Sequence, residues 1–300
     1  MLKINQVFKS FGEKDILKEV SFEAHSGEII GLVAPNGTGK STLLNIIMNF
    51  LTPDAGEVTI LDQYGYRSKK QEIKMHEYLS FLPELNDLYA ELSGYEHMKL
   101  YAKMWKGKVT SIDDIIESLN MTHYVKKPVG TYSLGMRQRL AFAMLLAADT
   151  EIMLMDEVMN GLDPDNVTLL TNELIELKRR GKVILIASHL LDNLDLYANR
   201  ILFFRDGHIL LETREGEVDK INQSYIKIHL NKPKYDELKA VKDFPENTQY
   251  IAGKIVAIPL KSLEKIEIND WIQFFIDQNI LNVTIGQIGT AEWYEEFYNQ

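Results

Sequence analysis

Three stretches, Glu28–Pro35 (EIIGLVAP), Glu151–Asp156 (EIMLMD) and Val183–Ser188 (VILIAS), string apolar residues together with almost no polar interruption. A strand with one wet face alternates. An unbroken run is buried on both faces, as strands of a parallel sheet are. The first run ends in a Pro-Asn-Gly turn and is followed by Ser41–Leu51, whose apolar residues have helical spacing. Glu57–Leu61 reads as another strand, introduced by the turn Thr52–Gly56 (TPDAG). Strands alternating with helices predict an α/β fold around a mostly parallel sheet.

From Gln71 to Tyr132 the chain is rich in Tyr, Met, Leu, Lys and Glu and shows little β-branched alternation. This predicts a helical subdomain, which the helix expected after Ser133 extends over about residues 71–145. The charged segment Thr213–Lys220 (TREGEVDK) predicts a boundary, dividing the chain into 1–213 and 214–300. Beyond it, Tyr225–Leu230 and Tyr250–Ile258 alternate like strands. Lys261–Gln278 reads as a helix, Leu281–Ile285 as a strand and Ala291–Tyr298 as a last helix, which together make a small α+β accessory domain.

Composition narrows the field. Of 300 residues, 45% are hydrophobic and 25% charged, which excludes a disordered or collagen-like chain. The formal net charge of −10 argues against a nucleic-acid partner, which needs basic surface. Cys is absent, so thiolate metal sites and thiol catalysis are excluded. The longest apolar stretch, near Ala141–Ala148, falls far short of the ~20 residues a spanning helix requires. Work at a membrane would need a separate spanning partner.

The candidate chemistry starts at Ala34-Pro35-Asn36-Gly37-Thr38-Gly39-Lys40-Ser41-Thr42, after a strand and before a helix. Small residues let backbone N–H groups curl around a phosphate, and the helix N-terminus adds partial positive charge. Lys40 can reach β/γ-phosphates and the Ser41 hydroxyl can bind Mg²⁺. Ala34 stands where such loops usually begin with Gly, which requires negative φ there. A second signal is Asp156-Glu157, two carboxylates delivered to the C-terminal end of an apolar strand, where open α/β sheets bind ligands. Asp156 fits a magnesium-holding carboxylate and Glu157 a general base toward water. A third is Ser133-Leu134-Gly135-Met136, where Ser133 is a plausible N-cap whose following amides suit an anion.

In order and spacing, these segments make the chain resemble the ATP-binding cassette family, whose signature is Leu-Ser-Gly-Gly-Gln. Leu134 and Met136 depart from that signature. The resemblance covers roughly residues 1–213. It implies a P-loop nucleotide-hydrolase cassette with a mostly parallel core sheet, an antiparallel N-terminal β part and a helical subdomain. It further implies that Phe11 stacks on adenine and that Glu84, where the family usually has Gln, joins Ser41 and Asp156 around Mg²⁺. Asp163 in Gly161-Leu162-Asp163-Pro164 would bridge subunits, and His189 would contact the γ-phosphate beside Glu157. Two ATP-binding subunits, alike or unlike, would pack head to tail around two Mg-ATP. The Ser133–Gly135 corner of one would face the phosphate loop of the other.

The departures, Leu-Pro-Glu at Glu84 and the Tyr-Ser-Leu-Gly-Met signature, are similar to bacterial exporter ATPases of the ABC-2 type. Those work at the cytoplasmic face of the membrane with a separate permease and often move drugs, bacteriocins or antimicrobial peptides. Two alternatives stand beside this: a cytosolic cassette ATPase of the iron–sulfur-assembly kind, and a P-loop small-molecule kinase. The Tyr89, Tyr95, Tyr101 and Trp105 group admits two readings, subdomain core or docking surface for a permease helix. The core reading is favoured.

Overall fold

The structure, a computed structural model, describes residues 1–105, 111–188, 191–214 and 224–298. The chain divides into two compact units, Met1–Thr213 and Arg214–Gln300.

The first unit opens with the hairpin β1 (Leu2–Phe11) and β2 (Lys14–Ala24), then β3 (Ile29–Val33), α1 (Lys40–Ile47), β4 (Ala55–Ile60) and β5 (Tyr64–Gly65). Next come α2 (Lys69–Tyr78), β6 (Leu79–Phe81), α3 (Gly94–Trp105), α4 (Ile112–Ser118) and α5 (Leu134–Ala148). It continues with β7 (Ile152–Asp156), α6 (Pro164–Arg179), β8 (Val183–Ala187), α7 (Leu191–Tyr197), β9 (Arg200–Arg205) and β10 (His208–Arg214).

An antiparallel sheet has the order β2-β1-β4-β5. Its inward face carries Leu2, Ile4 and Val7, all buried. The step from Ile4 to Val7 breaks a period of two. Gln6, at φ 47°, forms a bulge that returns Val7 to the buried side. The larger sheet has the order β10-β9-β3-β8-β7-β6, and β9, β3, β8, β7 and β6 run parallel. β3 and β8 are buried throughout and β7 in all but its last residue, as unbroken apolar runs require.

β6 adds a short strand within the span expected to be a helical subdomain. Three residues, Leu79–Phe81, pair with Ile152–Leu154 as an edge of the parallel sheet. So short a strand has no room to display a period. The helical layer is built around α5, whose residues Leu140–Ala148 are all buried. That continuous burial explains why the segment is apolar on every side.

The second unit contains β11 (Tyr225–His229), α8 (Lys232–Val241), β12 (Gln249–Ile251), β13 (Ile255–Pro259), α9 (Lys265–Asp277), β14 (Val283–Gly286) and α10 (Thr290–Tyr298). Its antiparallel sheet has the order β12-β13-β11-β14, a split βαββαβ arrangement. One face packs Ile226, Ile228, Val256 and Ile258 with Tyr235, Leu238, Trp271 and Phe275. The other holds Ile251, Ile255 and Ala257. α10 is tied to β11 by Lys227 Nζ to Glu292 at 2.7 Å, and to the residues joining β12 and β13 by Lys254 Nζ to Glu295, also at 2.7 Å. Two features differ from the sequence reading. Tyr250–Ile258 is a hairpin of two strands, turned at Ala252 and Gly253 with φ 53° and 65°. Lys232–Val241 is a helix capped by Asn231, which accepts from Lys234 N at 3.0 Å.

Candidate functional site

The phosphate loop hangs between β3 and α1. Ala34 is fully buried and is not among the residues with positive φ, so the alanine carries no backbone strain. Gly37 and Gly39 do need to be glycine, at φ 79° and 109°. A Cβ on Gly39 would also lie 2.9 Å from Leu17 Cδ2 and 3.1 Å from Ile16 O, so β2 forms the floor of the loop. Gly39→Ala is therefore expected to destabilise the cassette by about 1–3 kcal/mol, read as a lowered Tm in thermal unfolding. Asn36, Gly37 and Ser41 are exposed, Thr38 and Thr42 half-buried. Thr38 Oγ1 donates to Pro35 O at 2.7 Å and braces the curl.

Lys40 is buried, and its Nζ donates to Ala34 O at 2.6 Å and Pro35 O at 3.0 Å. Burial pushes its ammonium down, while Asp156 and Glu157 pull it back up. Ser41 Oγ donates to Asp156 Oδ2 at 2.5 Å. Burial pushes the Asp156 carboxyl up; the Ser41 bond opposes this, Glu157 adds to it and Lys40 opposes it. Burial thus penalises both charges, and a bound polyphosphate with its cation would supply what each lacks. Two hard oxygen donors side by side suit Mg²⁺, so Ser41 and Asp156 fit the ion expected of them.

Glu157 sits at φ 53°, a conformation uncommon outside glycine. In an extended strand Asp156 and Glu157 would point to opposite faces. The left-handed turn bends the chain off β7, and both carboxylates lie close enough to act on Lys40. The bend is held by Glu157 N donating to Ala187 O at 2.9 Å, and by Asn160 N donating to Glu157 O at 3.1 Å. Buried Val158 and Met159 pin the turn from below.

Ser133 does cap α5, accepting from Met136 N at 3.3 Å, and both Ser133 and Leu134 are exposed. Asp163 caps α6 by accepting from Asn166 N at 2.9 Å. That bond is the first of several that hold its carboxyl below the usual range. Gly135 lies near Leu162 and Asn166, and Arg139 donates to Asn166 Oδ1, so Ser133, Gly135 and Asp163 share one corner. Phe11 is about half exposed at the end of β1, with Lys9 Nζ 5.5 Å from its ring centre. His189 lies outside the described residues.

Glu84 is exposed and lines a groove of about 770 Å³ bordered by α1, α2 and α3. Tyr89, Tyr101 and Trp105 line the same groove. The favoured core reading of the aromatic group is therefore corrected. Tyr89 is 60% exposed, and Tyr95, Tyr101 and Trp105 are only half-buried. Trp105 Nε1 donates to Leu79 O at 2.7 Å, fixing α3 to β6. Buried His97 accepts from Tyr89 N at Nε2 (3.0 Å), so Nδ1 carries the proton and donates to Ser93 O at 2.8 Å. The groove wall is thus built rather than loose.

A glycine loop cradled between a buried strand and a helix, with a Ser–Asp pair at its mouth, defines the class as a P-loop nucleotide hydrolase. Similarity to known proteins narrows the class. The sequence matches the ABC transporter family over residues 17–160. The uncharacterized ABC transporter ATP-binding protein YdbJ of Bacillus subtilis (strain 168) is 34% identical over 229 residues, which is 75% of this chain and 73% of that protein. The lantibiotic transport ATP-binding protein SrtF of Streptococcus pyogenes is 32% identical over 212 residues, 71% of this chain and 90% of that one. The dimeric structure of the bacterial ABC transporter cassette MJ0796 superposes with a TM-score of 0.61 at 27% identity, covering 71% of this chain and 98% of that one. The chain belongs to the ABC transporter ATP-binding proteins and is an ATPase of that type.

Proposed function

We propose that this chain powers export through a separate membrane permease, acting as a pair of copies that close on two Mg-ATP. The observation that carries it is the convergence of Lys40, Ser41, Asp156 and Glu157 at one end of the parallel sheet. The loop amides and Lys40 bind the β/γ-phosphates, with Phe11 as the platform for the base. Ser41 and Asp156 would hold Mg²⁺, which would supply positive charge against the phosphate oxygens. Glu157 takes a proton from water as that water attacks the γ-phosphorus. The bond from phosphorus to the bridging oxygen breaks, leaving ADP and phosphate. His189, two residues past β8, is assigned the γ-phosphate contact.

The corner of Ser133 and Gly135 belongs to a partner's nucleotide, and Asp163 beside it lies at the seam. A chain that carries both halves of such a site can pair with itself. Hydrolysis removes the γ-phosphate contacts, the pair loosens, and the motion passes to the permease. The groove supports a transporter over a free-standing cytosolic ATPase. Its apolar wall is built from Tyr89, Leu100, Tyr101 and Met104, and Glu84 sits on the same surface. A short permease helix would fill it. Among the described residues no helix is long and apolar enough to cross a membrane. The names of SrtF and the bacitracin transport protein BcrA of Bacillus licheniformis (28% identical) favour antimicrobial-peptide export. The second unit is assigned an accessory role.

Tyr101→Asp tests the docking step. A carboxylate in this apolar wall is expected to abolish co-purification with a co-expressed permease partner, while the circular dichroism spectrum stays native. Undiminished co-purification would send the docking surface elsewhere.

A further inference from the structure

We infer that Asn160 is a positioning residue for the Glu157 carboxylate, and that Gln138 on α5 holds Asn160 in place. This rests on the reading of Glu157 as the base and adds to it the residues that aim it. Asn160 Nδ2 donates to Glu157 Oε2 at 2.5 Å. The Asn160 carbonyl accepts from Gln138 Nε2. Gln138 is itself buried, 22 residues away in sequence, one and a half turns into the helix that Ser133 caps.

The chemistry gives each link a purpose. Glu157 stands at a left-handed bend, and a carboxylate on such a bend can swing about its side-chain torsions. An amide donor on one oxygen fixes the carboxylate's rotation. The donor must be held as well. Asn160 is half-buried, its N–H closes the turn onto Glu157 O, and its carbonyl is occupied by Gln138. Buried Val158 and Met159 complete the clamp. Asn160 therefore has its backbone fixed at both polar atoms before its side chain reaches the base. The same α5 carries the Ser133 corner, so the carboxylate of each copy is aimed from the helix that touches the partner's nucleotide.

The test uses the full chain with four variants: Asn160→Ala, Asn160→Asp, Gln138→Leu and the double variant Asn160→Ala/Gln138→Leu. Steady-state ATP turnover is measured beside binding of a fluorescent ATP analogue and Tm. Asn160→Ala is expected to lower kcat about tenfold, with KM and analogue affinity within about twofold of the parent, since hydrogen bonds to charged groups are of that strength. Asn160→Asp keeps the shape but offers no donor, and is expected to be at least as slow. Gln138→Leu, which touches no nucleotide group, is expected to lower kcat about threefold. The double variant should be no slower than Asn160→Ala, because both changes cut one chain of contacts.

Parent-like kcat in Asn160→Asp, or additive losses in the double variant, would overturn the inference. So would a loss of analogue binding that matches the loss of turnover. Glu157→Gln run in parallel separates the two readings. If it turns over like the parent, the assignment of the base fails. If it is dead while Asn160→Asp is active, only the present inference fails.

Discussion

Glu157→Gln is expected to lower ATP turnover by roughly 10²–10⁴-fold, the range for removing a positioned general base. Binding of Mg-ATP should survive. The substitution keeps the side chain's shape and can still meet the Asn160 amide, and it leaves Lys40, Ser41 and Asp156 in place. It also removes a negative charge beside Lys40, which favours nucleotide retention. The variant should accumulate with ATP bound, where the parent would contain ADP. Turnover by coupled assay and bound nucleotide by chromatography check both halves. Parent-like turnover would mean that another group takes the proton.

Lys40→Ala is the second large effect. Lys40 Nζ is the buried cation of the site and is already held among loop carbonyls, so its reach toward phosphate is short and its desolvation already met in the fold. Truncating a buried charge partner costs about 2–5 kcal/mol, so ATP affinity should fall roughly 30-fold to several thousand-fold by calorimetry. The fold should tolerate the change. Lys40 donates to carbonyls that water can satisfy, and Gly37 and Gly39 keep the curl of the loop. Unchanged affinity would remove the loop from the site.

Much of this was readable before any geometry, and the reasons are physical. β3, β7 and β8 are buried on both faces, which stamps an unbroken apolar run on the sequence. The glycines at 37 and 39 are dictated by positive φ, and one of them also by close approach. Asp156 and Glu157 fall at a strand's end, where position alone suggests ligand chemistry.

What escaped the sequence reading depends on contacts between distant residues or on very short elements. β6 is three residues long and declares itself only by pairing with β7. The aromatic residues of α3 and the loop before it carry no mark in the sequence that separates a packed core from an open wall. Their exposure follows from the groove that opens beside them. Helix α8 did carry a start signal, Asn231 followed by Lys232 and Pro233, but its lysines masked the buried pair Tyr235 and Leu238. Asn160 and Asn166 have no motif value by themselves. Only the packing of α5 against the turn after β7 brings them to the site.

The claim on which the rest depends is that ATP is clasped between the phosphate loop of one copy and the Ser133 corner of another. The most direct measurement is the solution mass of Glu157→Gln by light scattering, with and without Mg-ATP. The account predicts a single-chain mass without nucleotide and twice that mass with it. Adding Ser133→Arg should return the ATP-loaded protein to the mass of one chain. A Glu157→Gln protein that binds Mg-ATP yet stays single, or one that pairs equally well with Ser133→Arg, would contradict it.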